Sequence, residues 1–285
     1  MNKGKYLYII GGPTASGKTS KAIDLALDWQ SEIISADSRQ FYKEMNIGTA
    51  KPSLEQLNLV PHHFINNISI HDSYDVGLYE EQVLELLAKL FESNDRVVMV
   101  GGSGLFIKAI THGFDAFPTV DLAIKNELQR RLNEEGIEVL QKIVSDNDPD
   151  YYAKVDINNS RRLQRAAEII LQTGHTFSSY HSGIAKKREF NIIKKMIDIP
   201  REQLYQQINN RVLDMIEQCL QEEATTLYPY NQLRPLQTVG YSEWFKYIEG
   251  FYTQEKTIEM IQQNTRNYAK RQLTWFRNDG GWESL

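Results

Sequence analysis

Apolar residues recur along the chain with two periods, which predict alternating strands and helices. The runs YLYII (residues 6–10), SEIISAD (31–37) and DRVVMV (95–100) are short and apolar, as expected of buried strands. Between them, KTSKAIDLALDW (18–29) and YEEQVLELLAKLFES (79–93) have apolar residues at helical spacing. Strands that alternate with helices in this way predict a parallel sheet covered by helices on both faces. The N-terminal part therefore predicts an α/β fold.

The pattern changes between residues 118 and 190, where helical periodicity dominates and we predict no strand. Two amphipathic stretches, DLAIKNELQRRLNEEG and SRRLQRAAEIILQTG, predict helices there. FNIIKKMIDIP then predicts a returning strand, and a long helix is expected from Arg201 to about Thr225. We therefore predict a P-loop NTPase-like α/β core formed by residues 1–117 and 191–285, with a helical insertion at 118–190.

Composition and charge are typical of a soluble globular protein. Apolar residues make up 41% of the chain and charged residues 24%. The apolar runs are far shorter than the roughly 18 residues that a membrane span requires. The single cysteine, Cys219, excludes an intrachain disulfide and a multi-cysteine zinc site. We expect a cytoplasmic monomer that does not enter a membrane.

The stretch GGPTASGKTS (residues 11–20) carries the most specific chemical signal. Gly12, four further residues, and then Gly17, Lys18 and Thr19 form the pattern G-x-x-x-x-G-K-[ST] of a phosphate-binding loop. The glycines allow backbone N–H groups to point at an anion, and the following helix directs its positive end towards it. Lys18 adds a positive charge, and the Thr19 hydroxyl is of the kind that binds Mg²⁺. The pattern predicts a bound di- or triphosphate, but it does not show whether the phosphates are hydrolysed, transferred to a substrate or released.

An acid that is common in phosphate-loop ATPases is missing from its usual place. Such proteins hold the metal with an Asp at the end of a further apolar strand, whereas VVMV is followed by Gly101 and Gly102. The acid here is Asp37, which ends the second predicted strand. Because the carboxyl ends of parallel strands share one edge of a sheet, we expect the loop, Asp37 and Ser103 to meet in one crevice. There Asp37 can hold a metal or accept a proton, and a helix N-cap is its structural alternative.

Basic residues are concentrated in two segments even though the net charge is −5. Residues 264–277 carry four basic side chains and no acid: Arg266, Lys270, Arg271 and Arg277. The segment RRLQR at 161–165 carries three arginines. Both clusters predict contacts with RNA phosphates, and Tyr268 and Trp275 are candidate stacking platforms for bases. A solvated helix face is the alternative explanation for each cluster.

Six segments, taken in order, resemble the bacterial tRNA dimethylallyltransferase family, whose members are also called tRNA isopentenyltransferases. They are GPTASGKT, ISADSRQFYKEMNIGTAKPS, PHHFIN, GGSGLFIKAI, LRPLQTVGYSEW and NTRNYAKRQLTWFR. This family has a phosphate-loop α/β core with a helical insertion. It transfers a dimethylallyl group from dimethylallyl diphosphate to N6 of the adenosine 3′ of certain tRNA anticodons. The resemblance thus implies two substrates, tRNA and dimethylallyl diphosphate, with diphosphate as the leaving group.

The resemblance also implies roles for individual residues. The implied diphosphate-binding residues are Gly12, Pro13, Thr14, Ala15, Ser16, Gly17, Lys18, Thr19 and Arg211. Thr19 lies near Mg²⁺, Asp37 is the general base on the adenine amine, and Lys18, Thr19 and Arg211 assist catalysis. From the resemblance and the charge pattern together, the predicted tRNA-binding residues are Asp37, Ser38, Arg39, Gln40, Ser103, Arg161, Arg162, Leu163, Gln164, Arg165, Arg266, Lys270 and Arg271.

Three positions depart from the family pattern. Ser103 replaces a threonine and keeps its hydroxyl, whereas Phe106 replaces a tyrosine and loses one. Cys219 stands where glycine is common after the long helix.

The target base must leave its stack to reach a buried site, and Phe41 or Gln40 can fill the place that the base vacates. Phe41 is equally well explained as a core residue.

Two other functions also explain part of the sequence. A small-molecule or nucleotide kinase would use the loop for ATP and the insertion as a lid, but it does not account for the basic, aromatic segment 264–277. An RNA-binding GTP or ATP switch would require a guanine-recognition motif such as N-K-x-D, which the sequence lacks. Both alternatives predict that the loop binds a nucleoside triphosphate.

Overall fold

The chain folds into two compact units. The computed structural model describes residues 4–115, 117–181, 183 and 185–285. The first unit contains residues 4–111 and 187–285, and the second contains the described residues of 112–186.

The helices and strands follow the order that the sequence predicts, with additions. The helices are α1 (Lys18–Asp28), α2 (Leu54–Leu59), α3 (Val76–Ser93), α4 (Gly104–His112), α5 (Leu122–Glu135), α6 (Glu138–Asn147), α7 (Pro149–Tyr152), α8 (Ser160–Thr173), α9 (Arg201–Glu217), α10 (Leu220–Leu227), α11 (Tyr241–Ile248) and α12 (Gln254–Asp279). The strands are β1 (Tyr6–Gly11), β2 (Ile33–Ser35), β3 (His62–His63), β4 (Arg96–Gly101), β5 (Asn191–Met196) and β6 (Glu283–Ser284). The predicted α/β class is therefore confirmed, while the two-residue strands β3 and β6 were not predicted because they are too short to show a period.

Within the described residues, six strands form one parallel sheet in the order β3-β2-β4-β1-β5-β6. The central strand β1 pairs with β4 from Tyr6 opposite Arg96 to Gly11 opposite Gly101. It pairs with β5 over the same residues. Ser35 at the end of β2 lies opposite Val100, so that the segments after β1, β2 and β4 leave the sheet at the same edge.

Alternation along the central strands places apolar side chains on both faces of the sheet. Leu7 and Ile9 of β1 pack in the cluster that also contains side chains of α3, α4 and α12. Ile10, the next residue, packs with Ala22 and Ile23 of α1 on the opposite face. Successive side chains of a strand point to opposite faces, and a sheet buried on both sides accounts for the continuous apolar run in YLYII.

The second unit has its own core. In its described residues, helices rather than strands pack together, with the buried side chains of Leu128, Leu140, Leu163 and Ile170 between them. Asp148, which is 1% exposed, caps the short α7 by accepting the N–H of Tyr151, and it also accepts the N–H and hydroxyl of Ser178.

The borders of the two units differ from the predicted insertion at 118–190. Phe117 stacks on Phe177 inside the second unit, whereas Phe190 packs against Phe91 in the first. Arg188 also belongs to the first unit, because it binds Glu80 of α3. Contacts that are distant in sequence set these borders, and the local pattern does not report them.

The long helix predicted from Arg201 to about Thr225 is interrupted. α9 ends at Glu217 and α10 begins at Leu220, with Cys219 between them at a φ of 71°. Only a few per cent of residues other than glycine adopt this left-handed conformation. It turns the chain so that Leu220 and Ala224 pack with α11 residues such as Trp244. Tertiary packing thus overrides a sequence whose helix propensity continues through the turn.

α12 is the longest helix, spanning the 26 residues Gln254–Asp279. The Thr253 hydroxyl caps its first turn by accepting the N–H of Lys256, as is usual for a residue that precedes a helix. Its buried face contains Ile261, Ala269 and Phe276. No helix in the described part of the chain is long and apolar enough to cross a membrane.

We expect Arg188→Met to lower the free energy of unfolding by about 3–5 kcal/mol, because breaking a buried ion pair by removing one partner is strongly destabilising. Arg188 and Glu80 are each 9% exposed and lie 2.8 Å apart. Arg188 also donates to the carbonyl oxygens of Ala109 and Ile110 at the end of α4.

The matched control is Arg131→Met, which removes an exposed pair with Glu135 on α5 and should cost no more than about 0.5 kcal/mol. Urea unfolding followed by circular dichroism measures both variants. Equal effects of the two substitutions would contradict a stabilising role for the buried pair.

Candidate active site

The phosphate loop connects β1 to α1 at the carboxyl edge of the sheet. Gly12 and Gly17 have φ angles of 145° and 84°, and Ala15 also has a positive φ, of 63°. These conformations turn the backbone around a small space ahead of the α1 N-terminus, where N–H groups lack helical partners. Within the described residues, the buried hydroxyl of Ser16 has no hydrogen-bond partner. A concave loop with an unpartnered buried hydroxyl is suited to an anion with several oxygens.

Two cations border this loop. The Lys18 ammonium donates to the carbonyl of Pro13 at 2.8 Å, and Arg211 of α9 donates to the hydroxyl of Thr14 at 3.3 Å. Burial lowers the pKa of Lys18 to about 8, an effect that the charge of Asp37 opposes and that of Arg211 reinforces. Burial also lowers the pKa of Arg211. Burial is unfavourable for two neighbouring cations because each loses hydration by water. A bound anion offsets this loss, so the pair of cations favours anion binding.

Asp37 follows β2 and lies in the same cavity as Lys18 and Arg211. One of its carboxylate oxygens accepts the N–H of Arg39 at 3.0 Å, which fixes the carboxylate in a turn. No helix begins within the described residues 36–46, so the alternative of a helix N-cap at Asp37 is wrong. The carboxylate is therefore held beside the predicted phosphate site without a capping role.

The end of β4 has no space for the acid that phosphate-loop ATPases carry there. A Cβ atom on Gly101 would lie 2.2 Å from the carbonyl oxygen of Ala36. A Cβ atom on Gly102 would lie 2.2 Å from the side-chain nitrogen of Gln272. Close approach of the backbone after β2 thus requires glycine at position 101, whereas a side chain at position 102 would have to displace the Gln272 amide. The carboxylate at this edge of the sheet comes from Asp37.

Ser103 connects this edge to residues after β2. Its hydroxyl accepts the N–H of Ser38 at 3.1 Å and lies 3.3 Å from the Ser38 hydroxyl. Tyr268 of α12 forms a side-chain hydrogen bond with Ser103, and burial raises the pKa of the Tyr268 phenol to about 12. Tyr268 therefore remains protonated and lies in the cavity wall.

Half of the predicted site residues line one cavity of about 860 Å³. Its walls belong entirely to the first unit. Among the predicted residues, those in the walls are Thr14, Ala15, Ser16, Gly17, Lys18, Thr19, Asp37, Ser38, Arg39, Gln40 and Arg211. The remaining wall includes apolar side chains, namely Ile47, Leu54, Leu57, Val212, Met215 and Val239. The cavity thus combines a cationic end with apolar surface.

The predicted tRNA-binding residues of α8 and α12 differ in how exposed they are. Lys270 and Arg271 of α12 are exposed, with Arg271 over the Tyr268 ring, whereas Arg266 donates to Asn209 of α9. In the second unit, α8 exposes Arg161 and Arg162, while Gln164 and Arg165 are half-buried. Leu163 is fully buried, which leaves its side chain no surface for RNA.

Two aromatic residues that were candidates for contacts with bases pack against other parts of the protein. Phe41 is 1% exposed and stacks on Tyr79, with Phe106 edge-on to both rings. Trp275 is half-buried and packs where a Cβ atom on Gly104 would lie 2.2 Å from its ring. The interpretation of Phe41 as a core residue is therefore the correct one.

Gln40 is held in the protein and is not free to replace a base. Its side-chain nitrogen lies within 3.3 Å of the carbonyl oxygens of Thr49 and Ala50. The segment 46–48 is in turn held by Glu223 of α10, whose carboxylate accepts the N–H groups of Asn46, Ile47 and Gly48 and the hydroxyl of Tyr241. These contacts fix one wall of the cavity.

Sequence reasoning missed three residues that hold the walls together, Lys51, Glu223 and Gln272, and it assigned Tyr268 to base stacking rather than to the cavity wall. Lys51 donates to the carbonyl of Tyr42 and to the side-chain oxygens of Asn46 and Asn66. Lys51 and Gln272 lie in two of the segments that carry the family resemblance, ISADSRQFYKEMNIGTAKPS and NTRNYAKRQLTWFR, and this was the only signal that could have identified them. The partners of Glu223, Tyr268 and Gln272 are far away in sequence.

A Mg²⁺ ion fits the chemistry of the residues present. Thr19 and Asp37 line the same cavity and supply oxygen ligands, and Mg²⁺ is usually bound by one or two protein oxygens together with phosphate oxygens and waters. Within the described residues, no group of three His, Cys, Asp or Glu side chains is arranged to hold a metal alone. The site therefore suits a metal that arrives with a phosphate group.

Sequence and structure are both similar to known proteins. A sequence profile of the family described as IPP transferase matches residues 40–279. A tRNA dimethylallyltransferase from Christiangramia forsetii is 50% identical over 274 residues, covering 96% of this chain and 91% of the relative.

Two solved structures agree with this similarity. The full-length tRNA isopentenylpyrophosphate transferase of Bacillus halodurans is 35% identical with a TM-score of 0.72, over 99% of this chain and 90% of that protein. A eukaryotic dimethylallyltransferase acting on tRNA is 25% identical with a TM-score of 0.82, over 99% of this chain and 73% of that one. Because the family profile covers most of the chain and the sequence identity is high throughout, this protein belongs to the IPP transferase family.

Proposed function

We propose that this protein is a tRNA dimethylallyltransferase, which transfers the dimethylallyl group of dimethylallyl diphosphate to N6 of the adenosine 3′ of the anticodon and releases diphosphate. The observation that carries this proposal is the single cavity that contains both the phosphate loop and the carboxylate of Asp37. The names of the relatives agree with this activity. The lack of space for a side chain at Gly101 disfavours the acid with which a switch ATPase holds its metal at the end of this strand.

The phosphate loop is suited to holding diphosphate as a leaving group. Negative charge develops on diphosphate as its bond to the allylic carbon breaks. Loop N–H groups, Lys18 and Arg211 are directed at this charge before the reaction begins, and such preorganised stabilisation is often the largest contribution to catalysis. The lowered pKa of Lys18 indicates that the cavity disfavours cations until an anion is bound.

Thr19 would hold Mg²⁺ when the ion is bound together with diphosphate. The ion supplies positive charge that stabilises the phosphate oxygens of the leaving group. The protein contribution is to place the Thr19 hydroxyl in the wall of the cavity that also contains the phosphate loop.

Asp37 accepts the proton that the adenine amine loses. The exocyclic amine is a weak nucleophile because its lone pair is delocalised into the ring, so that a positioned base is valuable, typically by about 10²–10⁴ in rate. The hydrogen bond from the Arg39 N–H orients the carboxylate. Apolar wall residues such as Met215 and Val239 exclude water from an allylic cation, which hydrolysis would otherwise consume.

Exposed cations provide the attraction for tRNA. Lys270 lies on the outside of α12, on the side opposite Tyr268 of the cavity wall, and Arg271 is exposed beside the Tyr268 ring. In the second unit, Arg161 and Arg162 are exposed on α8. We propose a monomeric enzyme, located in the cytoplasm with its tRNA substrate.

A labelling experiment distinguishes prenyl transfer from the kinase and switch alternatives. Purified protein is incubated with radiolabelled dimethylallyl diphosphate, ATP or GTP, each with and without tRNA. We expect label to enter tRNA only from the prenyl donor. Cleavage or transfer of a nucleotide phosphoryl group, with tRNA left unmodified by the prenyl donor, would refute the proposed function.

We expect Asp37→Asn to lower kcat by about 10²–10⁴ because the amide cannot accept the amine proton. The asparagine oxygen can still accept the Arg39 N–H, so the turn is retained and tRNA affinity should remain near that of the wild type. Asp24→Asn, on the exposed face of α1, is the matched control. Turnover by Asp37→Asn close to that of the control would exclude Asp37 as the base.

We expect Lys270→Ala to weaken tRNA binding and to reduce the slope of log affinity against log salt concentration by about one, since each phosphate contact releases about one counterion. Lys256→Ala is the control, because Lys256 lies in the first turn of the same helix and pairs with Glu259. Filter binding at a series of salt concentrations measures both. An unchanged slope for Lys270→Ala would show that this residue faces only solvent.

A further inference from the structure

Gln272 is a buried polar residue in the cavity wall to which the reaction chemistry above assigns no role. It is 6% exposed. Its side-chain oxygen accepts the N–H of Thr14 at 2.8 Å, and its side-chain nitrogen donates to the carbonyl of Gly102 at 3.0 Å. The Thr14 N–H can only donate and the Gly102 carbonyl can only accept, so that these partners determine which way the amide points.

The two partners of this amide lie in segments that have different roles in the proposed reaction. Thr14 lies in the phosphate loop, and its hydroxyl accepts from Arg211. Gly102 precedes Ser103, whose hydroxyl binds Ser38 next to Asp37. One side chain therefore connects the diphosphate-binding loop to the turn beside the proposed base.

The fit around the amide leaves little freedom. A Cβ atom on Gly102 would lie 2.2 Å from the Gln272 nitrogen and 3.2 Å from the carbonyl oxygen of Gly12. The next residue of the same helix face, Ala269, is fully buried. A side chain that fills this space with two directed hydrogen bonds holds both backbone segments at a fixed separation.

We propose that Gln272 is a positioning residue for prenyl transfer, which rests on the function proposed above. Its amide sets the phosphate loop against the Gly102–Ser103 turn, so that the diphosphate and the Asp37 carboxylate keep one relative position. Small displacements of reacting groups reduce rates strongly. Loss of the amide should therefore affect both binding of the donor and the chemical step.

Gln272→Met tests this role because methionine has a similar length but makes neither hydrogen bond. We expect kcat/KM for dimethylallyl diphosphate to fall about 10- to 100-fold, as for the loss of two buried hydrogen bonds. Inorganic diphosphate should bind more weakly by calorimetry, and kcat should fall even at saturating donor. Gln272→Asn retains the amide but is one methylene shorter, so it cannot reach both partners and should show the same changes.

The control is Gln262→Met on the same helix, where Gln262 donates to the carbonyl of Asn209 outside the cavity walls. We expect both methionine variants to remain folded by circular dichroism and to bind tRNA with equal affinity, with only Gln272→Met losing diphosphate binding and kcat. Wild-type diphosphate binding and kcat in both Gln272 variants, or equal losses in Gln262→Met, would overturn the proposal. If wild-type protein does not prenylate tRNA but Gln272→Met still loses diphosphate binding, the effect of Gln272 on the loop stands and the proposed function fails.

Discussion

Parallel pairing of β1 with its two neighbours determines where every functional segment begins. Gly11 lies opposite Gly101 on one side and Met196 on the other, and β2 joins the same register through β4. The loop after β1, the turn after β2 and the turn after β4 therefore start at one edge of the sheet. This geometry brings cations, a carboxylate and hydroxyl groups together although they are scattered along the chain.

Close backbone contact at this edge also decides where the acid is placed. Gly101 lies against the carbonyl oxygen of Ala36, so position 101 does not accept a side chain. The carboxylate that follows β2 is that of Asp37, whose charge acts on both Lys18 and Arg211. A carboxylate beside a cationic loop suits a reaction in which diphosphate leaves and a proton is removed.

α12 contributes to both the inside and the outside of the active site. Tyr268 and Gln272, four residues apart, lie on the face that reaches the cavity. Lys270 and Arg271 lie on the exposed face. One helix thus joins the surface proposed to bind tRNA to the walls that surround the donor. Its rigidity makes it a better support for this task than a loop would be.

The sequence by itself determined the local features: the buried strands, the phosphate loop, Asp37 at a strand end, and the helical character of the second unit. Such features depend on the period of apolar residues and on glycine spacing, which neighbours in the chain specify. Only the tertiary structure decided the turn at Cys219, the short strands β3 and β6, the inward direction of Tyr268, and the hydrogen bond from Thr14 to Gln272, which lie 258 positions apart. The physical reason is that a hydrogen bond between distant residues depends on how whole elements pack, and no local pattern records that packing.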